Sequence, residues 1–392
     1  MNTMRWRVPA VAAAALLATL GLAGCGSSGS GNSGSGSSSG SGSSGGSSAT
    51  SGTGSGGGSG SGGSTYGGSD KVAFLMPDEA STRYETYDRP AFKAELAKLC
   101  PKCTMLYNNA DADASKQQQQ ASSALSQGVK AMVIDPVDST SAATIVNQAK
   151  SQGVKVISYD RPIPKIATDS FVAFDNEKVG QIIAKSLVDH VKSMKSSLPA
   201  GGGILLVNGS PTDAAAGLIK KGVHDVVDKS GLKVLAEYDT PDWEPAKAQS
   251  WFSGQISRFS NKIWGVVAAN DGTGGASVAA FKAAGVNPVP PVTGNDATLA
   301  GVQLVISGQQ YNSLSKPGIY EADAAAKAAI ALLQGKKAPS TTTLFNTPSQ
   351  LFIPTLIRPD NVQKALVKPG YLKASAICTK QYQTFCKKFA IG

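Results

Sequence analysis

The chain has 392 residues, of which 41% are hydrophobic and 16% charged, and its formal net charge is +10. About 320 residues follow a low-complexity N-terminal part, more than one hydrophobic core usually holds, so two lobes are expected. Basic residues are spread along the chain without blocks of five or six, which argues against nucleic-acid binding.

Residues 1–24 have the pattern of a secretory signal peptide. Arg5 and Arg7 precede an apolar run, Val11 to Leu22, that is too short for a convincing membrane span. The run leads into Leu-Ala-Gly-Cys, which resembles the lipobox of bacterial lipoproteins, where cleavage before the cysteine leaves its sulfur to carry diacylglycerol. The resemblance implies that Cys25 is lipidated and anchors an exported protein to the outer face of the cytoplasmic membrane.

The segment 25–69 is predicted to be a linker after the lipidated cysteine. Residues 26–68 are almost wholly glycine and serine and carry no charge. Such a segment buries too little apolar surface to offset the entropy of ordering, so we expect a flexible tether. No later stretch reaches eighteen uninterrupted apolar residues, and no second membrane segment is predicted.

From residue 70 onward, short apolar strands alternate with helical patterns. Strands are predicted at 72–76, 104–108, 131–135, 155–159, 171–174, 203–208, 233–239 and 265–270, and helices at 89–99, 114–127, 140–152, 212–230, 244–259, 273–284 and 320–333. This alternation predicts an α/β protein with two doubly wound parallel-sheet lobes. We assign 70–176 plus 317–345 to the first lobe and 177–316 plus 346–392 to the second.

The four cysteines after Cys25 form two local pairs, Cys100/Cys103 and Cys378/Cys386. An even number in an exported domain predicts disulfides, and of the three possible connectivities we favour the two local ones. The Cys-Pro-Lys-Cys motif ends a predicted helix, whereas a thioredoxin-like redox motif opens one. A four-cysteine zinc site is disfavoured by the distance between the pairs.

Ligands of doubly wound sheets bind at the carboxyl ends of the strands. The side chains that follow the predicted strands are carboxylates, amides, cations and aromatic rings, and the candidates for ligand binding are Arg83, Tyr84, Asp160, Arg161, Asp213, Trp243, Asn270, Asp296 and Lys316. This mixture suits a sugar, because hydroxyl groups donate and accept hydrogen bonds while a ring face stacks on aromatics. An aspartate after a strand also commonly caps the next helix, a role that Asp175 and Asn176 fit equally well.

The sequence offers little for catalysis. Neither of the two histidines lies near a strand end or in metal-ligand spacing, and no P-loop, Gly-x-Gly-x-x-Gly or Gly-x-Ser-x-Gly motif follows a strand. Asp160 and Asp296 could mimic the two catalytic carboxylates of a glycosidase. The cations Arg161 and Lys316 lie among these carboxylates in the predicted site and favour binding of a neutral polyol over acid catalysis. We therefore predict a binding protein without catalytic residues, metal or cofactor.

Five segments carry a resemblance to a known family: VKVISYDRPI, FVAFDNEKVGQIIAKSLVDHV, NGSPTD, NDGTGGA and TGNDATLAG. Over about residues 71–362 the chain resembles the xylose-binding proteins of ABC sugar importers, which belong to the ribose/galactose-type (type I) periplasmic binding proteins. The resemblance implies two lobes, joined by a three-strand hinge, that close on one monosaccharide. Asp160 and Arg161 would grip its ring and anomeric hydroxyls, Tyr84 and Trp243 would stack on its faces, and the other candidates would complete the contacts.

The resemblance also implies a monomeric receptor that delivers xylose or a related aldose to an ABC permease and its ATPase. The alternative is a receptor of the same fold that feeds a chemotaxis or sensor-kinase system. Two departures put xylose itself in question: three alanines follow Asp213 where an Asn pair is usual, and Tyr84 stands where a Trp is usual. Cys378 and Cys386 lie in a C-terminal extension outside the resemblance.

Overall fold

The computed structural model describes residues 65–392. The predicted signal peptide, the lipidation of Cys25 and the linker up to Ser64 lie outside the described residues. Within residues 65–392, no helix is both long enough and apolar enough to cross a membrane.

Strands and helices alternate through most of the described chain. The strands are β1 (Lys71–Met76), β2 (Thr104–Asn109), β3 (Ala131–Ile134), β4 (Lys155–Tyr159), β5 (Ser170–Phe174), β6 (Gly203–Asn208), β7 (Val234–Asp239), β8 (Ile263–Ala268), β9 (Ser313–Ser315), β10 (Thr342–Leu344), β11 (Thr347–Phe352) and β12 (Thr355–Ile357). The helices are α1 (Arg89–Leu99), α2 (Ala114–Ser126), α3 (Ala142–Ser151), α4 (Asn176–Ser193), α5 (Ala214–Val227), α6 (Pro245–Phe259), α7 (Asp271–Ala283), α8 (Leu299–Ile306), α9 (Gly318–Leu333), α10 (Ala374–Ile377) and α11 (Gln383–Lys388).

The strands form a large sheet in the first lobe and a smaller one in the second. The first has the order β10-β11-β5-β4-β3-β1-β2, parallel except for the β10–β11 pair, and the second has the parallel order β7-β6-β8. Strands β9 and β12 pair antiparallel beside it. This arrangement confirms the predicted α/β class with parallel sheets in two lobes.

Both faces of each sheet are covered, which explains why the strands read as unbroken apolar runs. Along β1, Val72 and Phe74 pack with α1 and α9, while Ala73 and Leu75 pack with α2 and α3. The same alternation along β6 directs one face to α4 and α5 and the other to α6 and α7. The strand ends are therefore the part of each sheet left open to a ligand.

One predicted lobe boundary is wrong in the structure. Strand β11 pairs in parallel with β5 in the first sheet, so residues 346–352 belong there and not to the second lobe. The reason is a two-residue turn, Phe345–Asn346, with φ of 50° and 57°, which folds β10 back onto β11. Such turns with positive φ join hairpin strands, so the chain stays in the first sheet until Phe352.

Helices α4 and α5, which are capped by Asp175 and Asp213, lie unusually close to one another. A Cβ on Gly180 would lie 2.0 Å from the Ile219 carbonyl oxygen, and one on Gly222 would lie 2.1 Å from the Glu177 carbonyl oxygen. Each glycine thus allows the backbone of the opposite helix to approach. This contact fixes the two helix starts relative to one another at the strand ends.

The structure places the sulfurs of both local cysteine pairs at bonding distance. The separations are 2.02 Å for Cys100 and Cys103 and 2.05 Å for Cys378 and Cys386. Cys100 ends α1 and Cys103 lies just before β2. That position differs from the helix-opening place of a thioredoxin-like motif, in agreement with the sequence analysis.

Candidate ligand-binding site

All nine predicted site residues line a single cavity between the carboxyl ends of the strands of the two lobes. The cavity measures about 360 Å³ including space open to solvent, and it is lined by Arg83, Tyr84, Asp160, Arg161, Asp213, Trp243, Asn270, Asp296 and Lys316, together with Ser81, Asn176, Ala215, Ile219 and Asn295. The structure thus brings the predicted set together. Their contacts with a ligand stay a prediction.

Asp160 is the centre of the polar network in this cavity. It directly follows β4, and its Oδ2 accepts a hydrogen bond of 2.9 Å from the Tyr84 hydroxyl. Its Oδ1 lies 3.3 Å from Arg83 Nη1 and 3.8 Å from Lys316 Nζ. Burial raises the pKa of Asp160, but Arg83, Lys316 and Arg161 outweigh burial and hold that pKa well below its usual value. Asp160 is therefore a charged hydrogen-bond acceptor at neutral pH.

Arg83 is held by three carboxylates. Its guanidinium contacts Asp88 at 2.8 Å, Asp160, and Glu321, which reaches it from α9. Glu321 also accepts a 2.9 Å hydrogen bond from the backbone N–H of Phe174 at the end of β5. Burial raises the pKa of Glu321 to about 8, although Arg83 lowers it.

Arg161 is the second buried cation and also has three acidic partners. Its Nη2 lies 2.5 Å from Asp78, and its Nε lies 3.4 Å from Asp135 and 3.3 Å from Asp213. Asp213 belongs to the second lobe, so this ion pair links the lobes directly. Burial raises the pKa of Asp135 well above its usual value, against the opposing effect of Arg161.

Lys316, after β9, completes the buried cations. Its Nζ lies 3.1 Å from Asp296 Oδ1. Burial lowers the pKa of Lys316, but Asp296 and Asp160 more than compensate and raise it. Among the described residues, Arg83, Arg161 and Lys316 contact seven acidic side chains: Asp78, Asp88, Asp135, Asp160, Asp213, Asp296 and Glu321. Of these, Asp160 keeps its charge inside the cavity and disfavours an anionic ligand beside it.

Asp213 differs in role from its neighbours in the predicted set. Its Oδ1 accepts from the backbone N–H of Ala215 and caps α5, and its Oδ2 accepts a 2.9 Å hydrogen bond from Trp243 Nε1. With Arg161 also 3.3 Å from that oxygen, Asp213 has protein partners on both oxygens. It orients Trp243 and Arg161 at the cavity wall.

Two amides in the cavity were not in the predicted set. Asn176 Oδ1 and Asn295 Oδ1 are buried and have no hydrogen-bond partner within residues 65–392. The helix cap belongs to Asp175, whose side chain accepts from Lys178 N, which leaves Asn176 in the first turn facing the cavity. Buried acceptors of this kind are costly unless a donor reaches them, so both amides point to a ligand that donates hydrogen bonds.

Three cavity residues have strained backbone conformations. Asp160, Trp243 and Asp296 have φ of 54°, 56° and 92°, in the left-handed region that non-glycine residues rarely adopt. Such conformations cost on the order of 1–3 kcal/mol each, and they also occur away from the cavity, as at Asp111, Ser260 and Phe345.

The ring of Trp243 lies directly against Gly209, which follows β6. A Cβ on Gly209 would lie 2.1 Å from two ring atoms of Trp243. We expect Gly209→Ala to displace the ring and to lower the free energy of unfolding by about 1–3 kcal/mol, the usual cost of overpacking. Urea unfolding followed by tryptophan fluorescence measures this. The matched control is Gly217→Ala in α5, where a Cβ meets nothing within 4 Å and stability should be unchanged or slightly raised.

Asp271, at the start of α7, joins three segments behind the cavity. It accepts hydrogen bonds from Gln310 Nε2, Ser313 Oγ and the backbone N–H of Thr298. These contacts fix the loop that carries Asn295 and Asp296. Burial and the charge of Asp296 raise the pKa of Asp271 to about 7, although the three donors lower it.

A carboxyl with a raised pKa in the folded state stabilises the fold below its unfolded pKa near 4 and loses that contribution as the pH rises through about 7. In the wild type, this group makes the free energy of unfolding fall by about 2–4 kcal/mol between pH 4 and pH 8. We expect the Asp271→Asn variant to lack that part of the fall. Urea unfolding across that range tests this. Asp189→Asn, an exposed change on α4, should leave the pH dependence intact, and an Asp271→Asn curve parallel to wild type would contradict the account.

The two lobes are in direct contact beside the cavity. The backbone N–H of Ser139 donates to the Thr212 carbonyl at 3.0 Å, and the Ala214 N–H donates to Ser139 Oγ at 3.0 Å. Ser139 of the first lobe thus satisfies an N–H in the first turn of α5 in the second lobe. Together with the Arg161–Asp213 ion pair, these bonds define a closed form that buries the cavity.

Comparison with known proteins assigns this architecture to a family. Residues 72–337 match the family model described as the periplasmic binding protein domain. The chain belongs to the periplasmic binding protein family. A D-xylose-binding periplasmic protein of Escherichia coli (strain K12) is 31% identical over 315 residues, which cover 78% of this chain and 92% of that protein. A multiple sugar-binding periplasmic receptor of Rhizobium radiobacter is 30% identical over 329 residues, 78% of this chain and 92% of the receptor.

Solved structures agree with this periplasmic binding protein assignment. A carbohydrate transporter solute-binding protein of Chloroflexus aurantiacus, in complex with D-glucose, has a TM-score of 0.70 and 26% identity and covers 78% of this chain and 98% of its own. An ABC transporter solute-binding protein of Clostridium phytofermentans with bound β-D-glucose has a TM-score of 0.68 and 26% identity, covering 79% and 100%. The type I periplasmic binding protein fold is confirmed. Because these relatives are binding proteins, the prediction that the chain is not an enzyme is also confirmed.

Proposed function

We propose that this protein binds one monosaccharide in the cavity between its lobes and delivers it to an ABC permease. The single observation that carries the sugar assignment is the pair of buried amide oxygens, Asn176 Oδ1 and Asn295 Oδ1, in a cavity that already holds a charged acceptor and charged donors. Only a ligand that donates and accepts at several points would satisfy such a lining.

The roles follow from the geometry of the cavity. Asp160 would accept from two sugar hydroxyls, and Arg161 and Lys316 would donate to sugar oxygens in charge-assisted hydrogen bonds. The rings of Tyr84 and Trp243, from opposite lobes, would cover the C–H faces of the sugar ring. Because these groups come from both lobes, the sugar would favour the closed form and shift the population toward it.

The ligand we favour is a neutral aldose of the size of xylose or glucose. Relatives named for D-xylose share 31% and 30% identity with this chain, and two solved structures with similar folds hold D-glucose. Ala214 and Ala215 supply no polar side chain at the start of α5, which leaves room for a substituent there. The charge of Asp160 in the cavity argues against uronic acids and sugar phosphates.

Isothermal titration of the purified protein tests this proposal. D-xylose, D-glucose, L-arabinose, D-galactose and D-glucuronate form the panel. We expect at least one neutral aldose to bind at micromolar concentration or tighter and glucuronate to bind at least about 100-fold more weakly than glucose. No binding by any neutral aldose would contradict the proposal.

We further propose that Cys25 is lipidated, that the protein acts as a monomer on the outer face of the cytoplasmic membrane, and that Cys100–Cys103 and Cys378–Cys386 are disulfides. The support is the lipobox-like sequence and the bonding distances within the cysteine pairs. Cys25→Ala should shift the protein from the membrane fraction to the soluble fraction of the producing cell. Thiol titration of the denatured Cys25→Ala protein without reductant should find no reactive thiols, and reactive thiols in this variant would contradict the disulfides.

A further inference from the structure

A second cavity lies beside the first and is not explained by binding of a monosaccharide. It measures about 840 Å³ including its open mouth, and its walls are mainly apolar: Tyr87, Pro90, Ile319, Leu366, Tyr371 and Leu372. Three parts of the chain build it, namely the start of α1, the crossing that leads into α9, and the C-terminal segment around Leu366–Leu372.

The two cavities share one wall. Arg83, Asp296 and Lys316 line both of them. On the side of the second cavity, this wall continues through Ala297, whose φ is 45°, next to Asp296 at 92°. The side chains of Arg83, Asp296 and Lys316 therefore stand between the polar cavity and the apolar one. A substituent on a ligand in the first cavity would have to extend past these three side chains to reach the second.

The chemistry of the second cavity is that of an apolar binding surface. Its polar end consists of Arg83 and Lys316, which are already paired with Asp160 and Asp296, whereas the remaining walls are mainly hydrocarbon and aromatic, apart from Thr86 and Ser315. Ile319 keeps 43% of its surface exposed at the mouth of the cavity. An apolar group that covered Ile319 would gain hydrophobic stabilisation.

We propose that the second cavity is a subsite for an apolar substituent attached to the sugar, so that the protein accepts alkyl or aryl glycosides and not only free aldoses. The inference rests on the proposed function, because the sugar ring must occupy the first cavity. A second sugar residue fits this cavity less well, since most of its hydroxyls would lose water against walls that are mainly apolar.

Titration of the wild-type protein with glycosides tests this subsite. The probes are methyl and phenyl glycosides of D-xylose and D-glucose, each as the α and β anomer. We expect the phenyl glycoside of one anomer to bind about 10- to 50-fold tighter than the methyl glycoside of the same anomer, from the apolar area buried. Equal affinities for phenyl and methyl glycosides, or a gain for xylobiose or cellobiose without one for phenyl glycosides, would overturn the proposal.

Two variants test whether the higher affinity for phenyl glycosides arises in the second cavity. Ala91→Phe, at the cavity lining, should fill the space and abolish the phenyl preference while leaving free-aldose binding within about twofold of wild type. Ile319→Ser should reduce the preference. Its matched control is Ile353→Ser, which changes an isoleucine that is 66% exposed and outside the cavity lining. A phenyl preference that survives in Ala91→Phe would overturn the subsite.

The outcomes separate this inference from the proposed function. If free aldoses bind and phenyl glycosides show no advantage, only the second cavity has been misassigned. If neither free aldoses nor glycosides bind, the proposed function fails and the subsite fails with it.

Discussion

Replacing Asp160 by asparagine is expected to weaken sugar binding by about 30- to 150-fold, which corresponds to ~2–3 kcal/mol. The carboxylate accepts from Tyr84 and faces Arg83 and Lys316, so the variant removes a charged acceptor and leaves two buried cations with fewer partners. Its low pKa keeps it ionised across the physiological range, so the wild-type affinity should not change between pH 5 and pH 8 through this group.

Isothermal titration with the aldose that wild type binds most tightly measures this effect. The matched control is Asp113→Asn, an exposed residue that caps α2 and that asparagine replaces in the same capping role. Circular dichroism of both variants establishes that they are folded. An Asp160→Asn protein that is folded and binds within threefold of wild type would place the ligand elsewhere.

Replacing Arg161 by methionine is expected to lower the free energy of unfolding by about 3–5 kcal/mol at neutral pH and to abolish sugar binding. The variant leaves Asp78, Asp135 and Asp213 buried without their common cation, and it removes the ion pair that joins the lobes. Breaking one side of a buried network costs more than the network contributes, because the remaining charges stay desolvated.

The stability deficit of Arg161→Met should depend on pH. Burial already raises the pKa of Asp135 and Asp213 in the presence of Arg161, and without that cation the two values rise further. Carboxyls with raised folded-state pKa values stabilise the fold when protonated and lose this contribution as the pH rises above their unfolded values near 4. The deficit should therefore be smaller at pH 5 than at pH 8.

Urea unfolding at both pH values tests this sign. Arg258→Met, a change at an exposed arginine of α6, serves as the control and should cost less than about 0.5 kcal/mol at either pH. A deficit in Arg161→Met that is equal at pH 5 and pH 8, or larger at pH 5, would contradict the account of a desolvated carboxylate cluster.

One geometric rule explains why the nine predicted residues line the same cavity in the structure. Carboxyl ends of parallel strands meet at the same edge of a sheet, so Asp160 after β4 and Asn270 after β8 had to approach the same cleft once two lobes were recognised. The rule predicts the position of a residue at the strand ends, but it does not predict which groups its side chain contacts. Asp213 satisfies the rule, yet its oxygens are occupied by Ala215 N, Trp243 and Arg161.

Residues that support the site from other elements could not be found in the same way. Glu321 lies on an alanine-rich helix, 238 residues after its partner Arg83. From the sequence alone, a single glutamate in such a helix is expected to be exposed to solvent. Asn176 could not be distinguished from Asp175 by sequence, because both residue types commonly cap helices. Only the structure shows that Asp175 caps α4. The predicted lobe boundary at residue 346 is wrong because the Phe345–Asn346 turn was not recognised. Phenylalanine rarely adopts positive φ and is not among the residues that indicate a turn in a sequence.

The measurement that tests the central claim most directly is a crystal structure of the purified protein with the tightest-binding aldose of the panel. The account predicts one sugar ring between Tyr84 and Trp243. Its hydroxyls would be hydrogen-bonded to Asp160, to Arg161 and to the side-chain Oδ1 atoms of Asn176 and Asn295. A sugar bound at any other surface, or a ring in this cavity without contact to Asp160 and Arg161, would contradict it.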